Sequence, residues 1–385
     1  MNRRERFRKV CSFEEADRVP TDCSTHCGIM FQKLLELAEH LNIPEPEYRT
    51  NVVGMCDTMD ERVWSHFPID TRTVLLNPPD SLVITPFSDE IFQVSDFGFI
   101  MRKASYYNEF WDFPLKNATA ANVAQSKWWP NARDPGRIRG LRESVRRLRE
   151  ETDFVIKCEC PVNGLMEVGQ RMRGMEQFMM DLVIDEQFVT AYLDKIVEIQ
   201  KEFYTVTLEE IGDLIDVIEY ADDFGMQTGL QLSPELYRKH FKARHADVWS
   251  HIHDLTDAKL YLHSCGGIAE LIPDWIEIGL DIIESLQPRA AGMEPARIKR
   301  EFGGRIVLWG GLDVQQTLPF GTPEEVDAEV KYLMETYAPG GGYIFSPAHV
   351  VQPDVPIENL LAMWNAVENY GNYPIGVAVP EDSLQ

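Results

Sequence analysis

Short apolar runs alternate with longer amphipathic stretches through the second half of the chain. Each run has the near-continuous apolar character of a strand buried on both faces, which is typical of parallel sheets covered by helices. The six runs are "DFVIKCECP" (Asp153–Pro161), "LIDVIEYADDFG" (Leu214–Gly225), "KLYLHSCGG" (Lys259–Gly267), "DIIESLQP" (Asp281–Pro288), "RIVLWGGLD" (Arg305–Asp313) and "GGYIFSPAH" (Gly341–His349).

The stretches between these runs have helical periodicity and helix-start signals. Apolar residues recur at three- and four-residue spacing over Glu186–Ile211. A second helix is predicted to begin with Ser233 as N-cap, Pro234 at the first helical position and Glu235 in the first turn. The same Thr/Ser-Pro-Glu signature recurs at Thr322–Glu324. Strands that alternate with helices in this way predict βαβ units and a parallel sheet.

The number of strands favours a closed α/β barrel. Six strands in the second half, with "RVPTDCS" near the start, predict a (β/α)8 TIM barrel that occupies residues 1–385 as one domain. An open doubly wound sheet is the alternative fold, and it is weakened because no GxGxxG follows an early strand. Residues of about 104–137 are expected to form a surface insertion in the N-terminal half. Its aromatic stretch Ala104–Pro114 fits either ordinary packing or one wall of a ligand pocket.

Composition and charge limit the class of partner. The chain has 385 residues and a formal net charge of −25. This charge disfavours the binding of nucleic acids, and it disfavours highly anionic ligands unless a local basic patch opposes the negative field. The N-terminal segment is charged, and no apolar run approaches the length of a membrane span. Seven cysteines are spread thinly along the chain, so a reducing, cytoplasmic location is expected.

Polar side chains follow the predicted strands where a barrel would place its active site, at the carboxyl ends. Adjacent Asp222 and Asp223 point to opposite sides of an extended chain, so one is expected to face the barrel mouth as a catalytic or orienting group. A helix or turn cap is the alternative role. Other residues at these ends are candidates for a substrate or cofactor pocket, although single members could instead cap helices. These candidates are Gln287, Gly310, Gly311, Asp313 and Gln315.

One strand end carries a candidate metal site. His263 and Cys265 are two residues apart on a strand, so their side chains point to the same face. The glycines that follow, Gly266 and Gly267, allow a sharp turn and a close approach of backbone. His349 ends the last predicted strand, so in a barrel it lies at the same mouth. Three nitrogen and sulfur ligands with an open position are typical of catalytic zinc, whereas two buried inert side chains are the alternative.

Several segments resemble the uroporphyrinogen decarboxylase superfamily. The resemblance is carried by "RRERFRKVCSFEEADRVP", "YLHSCGGIAELIPDWIEIGLDIIESLQP", "GGRIVLWGGLDVQQTLPFGTPEEV" and "PGGGYIFSPAHVVQPDVPIENLLAM". It is detailed from about Ala221 to Trp364 and implies a (β/α)8 barrel. True decarboxylases of the superfamily carry an early Arg-Gln-Ala-Gly-Arg segment that binds the substrate's carboxylates. This chain has no arginine between Arg18 and Arg49, so uroporphyrinogen III is not the expected substrate.

The resemblance is closer to the branch that transfers methyl groups to or from a corrinoid protein. Those members are similar in holding zinc with His-x-Cys and a later cysteine. No cysteine follows Cys265 here, and His349 stands near the expected position. One thiolate and two imidazoles leave a zinc unit of net charge +1, a stronger Lewis acid than a neutral unit.

That charge favours demethylation of a small substrate, such as a methoxylated aromatic or a methylamine-type compound, onto a corrinoid protein. The alternatives are a metal-free decarboxylase that uses a carboxylate such as Asp222, and a non-catalytic ligand-binding barrel.

Overall fold

A curled sheet of seven parallel strands forms the centre of the computed structural model, which describes residues 1–51, 53 and 56–377. The strands pair in chain order. They are β1 (Thr71–Val74), β2 (Val155–Cys158), β3 (Val217–Ala221), β4 (Lys259–His263), β5 (Ile282–Ser285), β6 (Val307–Leu312) and β7 (Tyr343–Pro347). Strands β2 to β7 lie inside the six predicted runs. Strand β1, "TRTV", has too little apolar character to be predicted.

The early segment "RVPTDCS" contacts both edges of this sheet. The amide of Phe345 in β7 donates to the carbonyl of Pro20, and the amide of Asp22 donates back to Phe345, each at 2.9 Å. On the other side, the amide of Asp70, just before β1, donates to the carbonyl of Thr21 at 2.9 Å. Residues 20–22 therefore lie between the first and last strands.

Helices connect the strands. Their bounds are α1 (Arg3–Cys11), α2 (Phe31–His40), α3 (Glu61–Trp64), α4 (Leu141–Glu151), α5 (Leu165–Arg173), α6 (Met175–Ile184), α7 (Glu186–Ile211), α8 (Pro234–Tyr237), α9 (Ala243–Leu255), α10 (Ile272–Glu277), α11 (Pro295–Phe302), α12 (Thr317–Phe320), α13 (Pro323–Tyr337) and α14 (Ile357–Tyr370). A π-turn (Arg238–Lys242) joins α8 to α9, and 3-10 turns cover Thr25–Cys27 and Val123–Gln125.

Helix α7 has the predicted limits, and both predicted caps are confirmed. The Ser233 side chain accepts from the amide of Leu236, and Thr322 forms a capping box with Glu325. Across the described ranges, every helix is too short or too polar to cross a lipid bilayer.

The amino-terminal end of the sheet is filled with apolar side chains. Helix α1 places Phe7 and Val10 against a cluster that includes Tyr261 and Trp309. The Tyr261 and Trp309 rings meet edge to face with centroids 5.1 Å apart. Burying a side chain as large as Phe contributes about 2 kcal/mol, so this end stabilises the fold.

An antiparallel sheet is inserted between β1 and β2. Its four strands pair in sequence: Ile84–Pro86, Ile91–Val94, Ile100–Arg102 and Glu109–Asp112. We call this the insertion sheet. It begins well before residue 104, where the insertion was predicted to start, and the aromatic stretch Ala104–Pro114 supplies only its last strand. Two further antiparallel pairs join Tyr48–Thr50 to Cys56–Met59 and Gly225–Met226 to Gly229–Leu230.

Candidate metal centre and neighbouring cavity

The chain brings His263, Cys265 and His349 together at the carboxyl end of the sheet. One potential ligand atom from each lies within 4.8 Å of the other two. Cys265 Sγ is 3.4 Å from His263 Nε2. Ligand atoms around a tetrahedral zinc are separated by about 3.3–3.8 Å, given the usual metal–ligand bond lengths. The three side chains therefore fit one zinc ion after small adjustments.

A buried carboxylate orients His263. Glu284 lies on β5, beside β4, and its Oε2 hydrogen-bonds Nδ1 of the imidazole. This contact leaves Nε2 facing Cys265, which is the arrangement that commonly supports a metal-binding histidine. Burial alone would lower the pKa of His263, but the Glu284 carboxylate raises that pKa well above its usual value.

The other two candidate ligands are held in their neutral forms. Burial, with a further contribution from Asp223, raises the pKa of the Cys265 thiol to about 12. Burial, with a further contribution from His263, lowers the pKa of His349 to about 4. At neutral pH, His349 presents a free lone pair, whereas Cys265 must lose a proton to bind a metal.

The glycine pair after Cys265 makes room for a neighbouring loop. Gly266 has φ of +84°, and a Cβ there would lie 2.4 Å from the backbone carbon of Gly225. The Gly267 amide donates to the carbonyl of Met226 at 2.9 Å, and the Gly266 amide donates to Oε1 of Gln287 at 2.9 Å. Gln287, a predicted pocket residue, thus holds this turn.

The adjacent carboxylates of Asp222 and Asp223 have different contacts. Asp222 is fully buried and accepts hydrogen bonds from the amides of Met166 and Glu167 at the start of α5. Asp223 accepts from the Cys265 amide at 2.8 Å and lies 3.9 Å from Nε2 of His263. Asp222 is thus a helix cap, and Asp223 is the one beside the candidate ligands.

The remaining predicted pocket residues have structural contacts. Asp313 is buried and accepts from the Arg289 side chain and from the amides that lead into α12. Gln315 is exposed, and its amide donates to Asp313. Gly310 and Gly311 lie within β6 at φ of +115° and +112°, and a Cβ at Gly310 would lie 2.4 Å from the Ser285 carbonyl oxygen. These four residues shape the β6 end.

A buried charged network below the candidate ligands is absent from the sequence predictions. His26 stacks on His263 with ring centroids 4.1 Å apart, and its Nδ1 lies 2.9 Å from Glu219. Lys157 Nζ is 3.5 Å from Glu219 and 3.6 Å from Asp22. The available signal was a charged residue in the middle of each apolar strand, "VIKC" and "VIEYA".

A cavity of about 570 Å³ opens at the carboxyl end of the sheet. It lies where β1 and β2 end, under the insertion sheet, and its lining includes Leu76, Phe97, Phe99, Phe110, Arg137, Glu159, Asn163 and Arg171. The five predicted pocket residues (287, 310, 311, 313 and 315) are not among the residues that line this cavity. The volume is within the range usual for small-molecule sites.

Glu167 contacts the wall of this cavity. Its carboxylate accepts from the Asn163 side chain at 2.9 Å and pairs with Arg171, two residues of the cavity wall. Burial, with smaller contributions from Asp223 and Asp222 and against the opposing effect of Arg171, raises the pKa of Glu167 to about 7. A titratable carboxyl group thus lies against the cavity wall.

Sequence comparison matches this chain to one protein family. A family model described as "Uroporphyrinogen decarboxylase (URO-D)" matches residues 114–370. Among curated relatives, the uroporphyrinogen decarboxylase of Coxiella burnetii (strain RSA 493 / Nine Mile phase I) is 32% identical over 72 residues, 19% of each chain. That of Pseudoalteromonas translucida is 35% identical over 72 residues, 19% of this chain and 20% of its own. These matches span about a fifth of the curated relatives' length.

Structural comparison extends over nearly the whole chain. A methyltransferase from Methanosarcina mazei superposes with a TM-score of 0.63 and 20% sequence identity, covering 96% of this chain and 99% of its own. At that identity the likeness establishes a shared fold.

Proposed function

This chain belongs to the uroporphyrinogen decarboxylase (URO-D) family, and from that premise we propose that it is a zinc-dependent methyltransferase. It would move a methyl group between a small substrate and a corrinoid carried by a partner protein. The observation that carries the proposal is the convergence of His263, Cys265 and His349, with ligand atoms within 4.8 Å of one another. The fold shared with the Methanosarcina mazei methyltransferase supports it.

The proposal includes a closed (β/α)8 barrel that forms a single domain. Residues 20–22 would serve as its eighth strand, since their backbone bonds to Phe345 on one side and Asp70 on the other. Such closure would put all strand ends at one mouth and direct the ligands inward. The described cysteines (11, 23, 27, 158, 160 and 265) are free thiols, which supports a cytoplasmic location.

The chain's own residues would prepare the site for its ligand. Glu284 fixes the ring of His263, and Asp223 fixes the backbone of Cys265. When bound, a zinc ion held by one thiolate and two imidazoles would supply a Lewis acid of net charge +1 that polarises the methyl-bearing oxygen or nitrogen. Glu167, whose pKa is raised to about 7 by burial, contacts Asn163 and Arg171 of the cavity wall and would hold or release a proton there.

A metal-free decarboxylase is the competing function within the same family. It would need a carboxylate such as Asp222 to face a substrate, but Asp222 is buried and bonded to the start of α5 and to His245. The contacts of Asp222 therefore favour the methyltransferase.

Zinc analysis of purified protein tests the proposal. We expect about one zinc per wild-type chain, and loss of zinc and of methyl transfer in Cys265→Ser with unchanged circular dichroism, because a hydroxyl is a poor zinc ligand. The matched control is Cys11→Ser, which changes a thiol at the end of α1, beside the apolar cluster at the other end of the sheet. Metal-free protein with full activity would reject the proposal and favour the decarboxylase.

A further inference from the structure

The face of the His263 ring is stacked against a second histidine, His26, which is not one of the candidate ligands. We infer that His26 is a positioning residue for the proposed metal, and that its ring keeps the His263 imidazole turned with Nε2 toward Cys265. This inference rests on the proposed zinc site and adds to that site a residue from the early part of the chain.

The stacked contact restrains His263 in a direction that Glu284 leaves free. The ring centroids of His26 and His263 lie 4.1 Å apart, and the ring planes differ by 16°. Glu284 contacts His263 at Nδ1, an atom in the plane of the ring. The terminal torsion of a histidine side chain has only broad preferences, so a single contact in the plane allows the ring to tilt. A flat neighbour on the ring face limits that tilt.

A buried carboxylate holds the ring of His26. The Nδ1 atom of His26 lies 2.9 Å from Glu219, which is fully buried on β3. Burial raises the pKa of Glu219, but His26 and Lys157 lower that pKa to about 2, so this carboxylate is ionised. Lys157 is also fully buried, and its Nζ lies 3.5 Å from Glu219. Side chains in a close-packed interior have little room to move, so Glu219 offers His26 a fixed partner.

The turn that carries His26 is tied to the same buried network. Ser24 and Cys27 flank His26 along the chain, and both side chains donate to the Asp22 carboxylate, at 2.6 Å and 3.1 Å. Lys157 Nζ lies 3.6 Å from Asp22. Lys157 therefore joins the carboxylate that holds the turn to the carboxylate that holds the ring, so the turn and the ring share one support.

The backbone just before His26 is strained. Thr25 is buried and has φ of +45°, a conformation that a β-branched residue rarely adopts. Its hydroxyl oxygen lies 3.3 Å from that of Thr73 on β1. Strained backbone persists only where the surrounding contacts maintain it, and it is found most often at functional sites. The strain at Thr25 therefore fits a turn that must place the next side chain against His263.

This support would act on the metal through preorganisation. A ligand that is already oriented loses less freedom when the metal binds. Contacts that orient a metal-binding histidine are usually worth about 10- to 100-fold in metal affinity. His26 would thus raise the affinity and fix the geometry of the site without contacting the metal.

Two substitutions of His26 separate its ring from its contact with Glu219. His26→Asn removes the ring but keeps a nitrogen at the place of Nδ1, whereas His26→Phe keeps a flat ring and loses the contact. We would load each variant, shown to be folded by circular dichroism, with cobalt(II), whose visible absorption reports coordination geometry, and measure affinity by chelator competition. We expect His26→Asn to lose about tenfold in affinity and to shift the absorption band, and His26→Phe to stay within about threefold of wild type with an unchanged band.

The control is Tyr48→Asn. Tyr48 is 42% exposed and stacks on Phe31 with centroids 5.5 Å apart, so loss of this ring should leave both affinity and spectrum unchanged. Wild-type affinity and spectrum in His26→Asn, or a loss in folded His26→Phe as large as that in His26→Asn, would overturn the inference and leave the zinc site standing. Wild-type protein that binds neither zinc nor cobalt would reject the zinc site and this inference together.

Discussion

The two ends of the seven-stranded sheet differ in the side chains they bury. At the amino-terminal end, α1 packs Phe7 and Val10 on the rings of Tyr261 and Trp309. At the carboxyl end, the candidate metal ligands lie beside charged side chains, and several of these side chains are buried. Burying a charged group is costly unless that group is paired. This difference indicates that the residues that stabilise the fold and the residues of the candidate site lie at opposite ends of the strands. We therefore expect that a mutation at one end can change the stability or the site chemistry without changing the other.

The largest expected effect is a loss of stability when the apolar end of the sheet is mutated. Phe7→Ala should destabilise the protein by about 3–5 kcal/mol in chemical unfolding, because Phe7 is 3% exposed and its loss leaves a cavity. The folded fraction should still bind zinc in full. Phe320→Ala, at a side chain 69% exposed on the surface, is the control and should have little effect. Loss of zinc from folded Phe7→Ala protein would contradict the separation of the two ends.

The next effect weakens the polar end without unfolding the protein. Glu284→Gln removes the charge that orients His263, so zinc affinity should fall about 10- to 100-fold in chelator competition. Asp313→Asn is the matched control, since it alters a buried carboxylate at the same end that contacts no candidate ligand. Equal zinc affinity in wild type and Glu284→Gln would count against the orienting role.

The smallest expected effect is the dependence of zinc affinity on pH. In the metal-free fold, the pKa values of Cys265 and His263 are both raised, so both groups hold protons at pH 7. Zinc needs both deprotonated, so affinity should fall as the pH falls, by between one and two decades per unit. Titration in buffers of different ionisation enthalpy should show about two protons released per zinc, and about one in Glu284→Gln. Zinc binding without proton release would refute these protonation states.

The strands and the candidate ligands could be predicted because both depend on local patterns. His263 and Cys265 share a face by strand alternation, and His349 follows another parallel strand, so the sheet brings the three together. Strand β1 escaped prediction because "TRTV" is short and contains an arginine.

The cavity and the buried network could not be predicted, because they depend on contacts between distant segments. Phe97 and Phe110 reach the mouth only because the insertion sheet folds over the ends of β1 and β2. Lys157 and Glu219 were visible as charges inside apolar strands, but their pairing with Asp22 and His26 depends on how the sheet curls.

The contacts of residues 20–22 with Phe345 also set an order in time. The early segment leaves the ribosome long before β7 is made, so its bonds to β7 can form only after β7 has emerged. His349 is made later still, just after β7. We therefore expect the sheet of a nascent chain to stay unfinished until β7 emerges, and the three candidate ligands to come together only after that point.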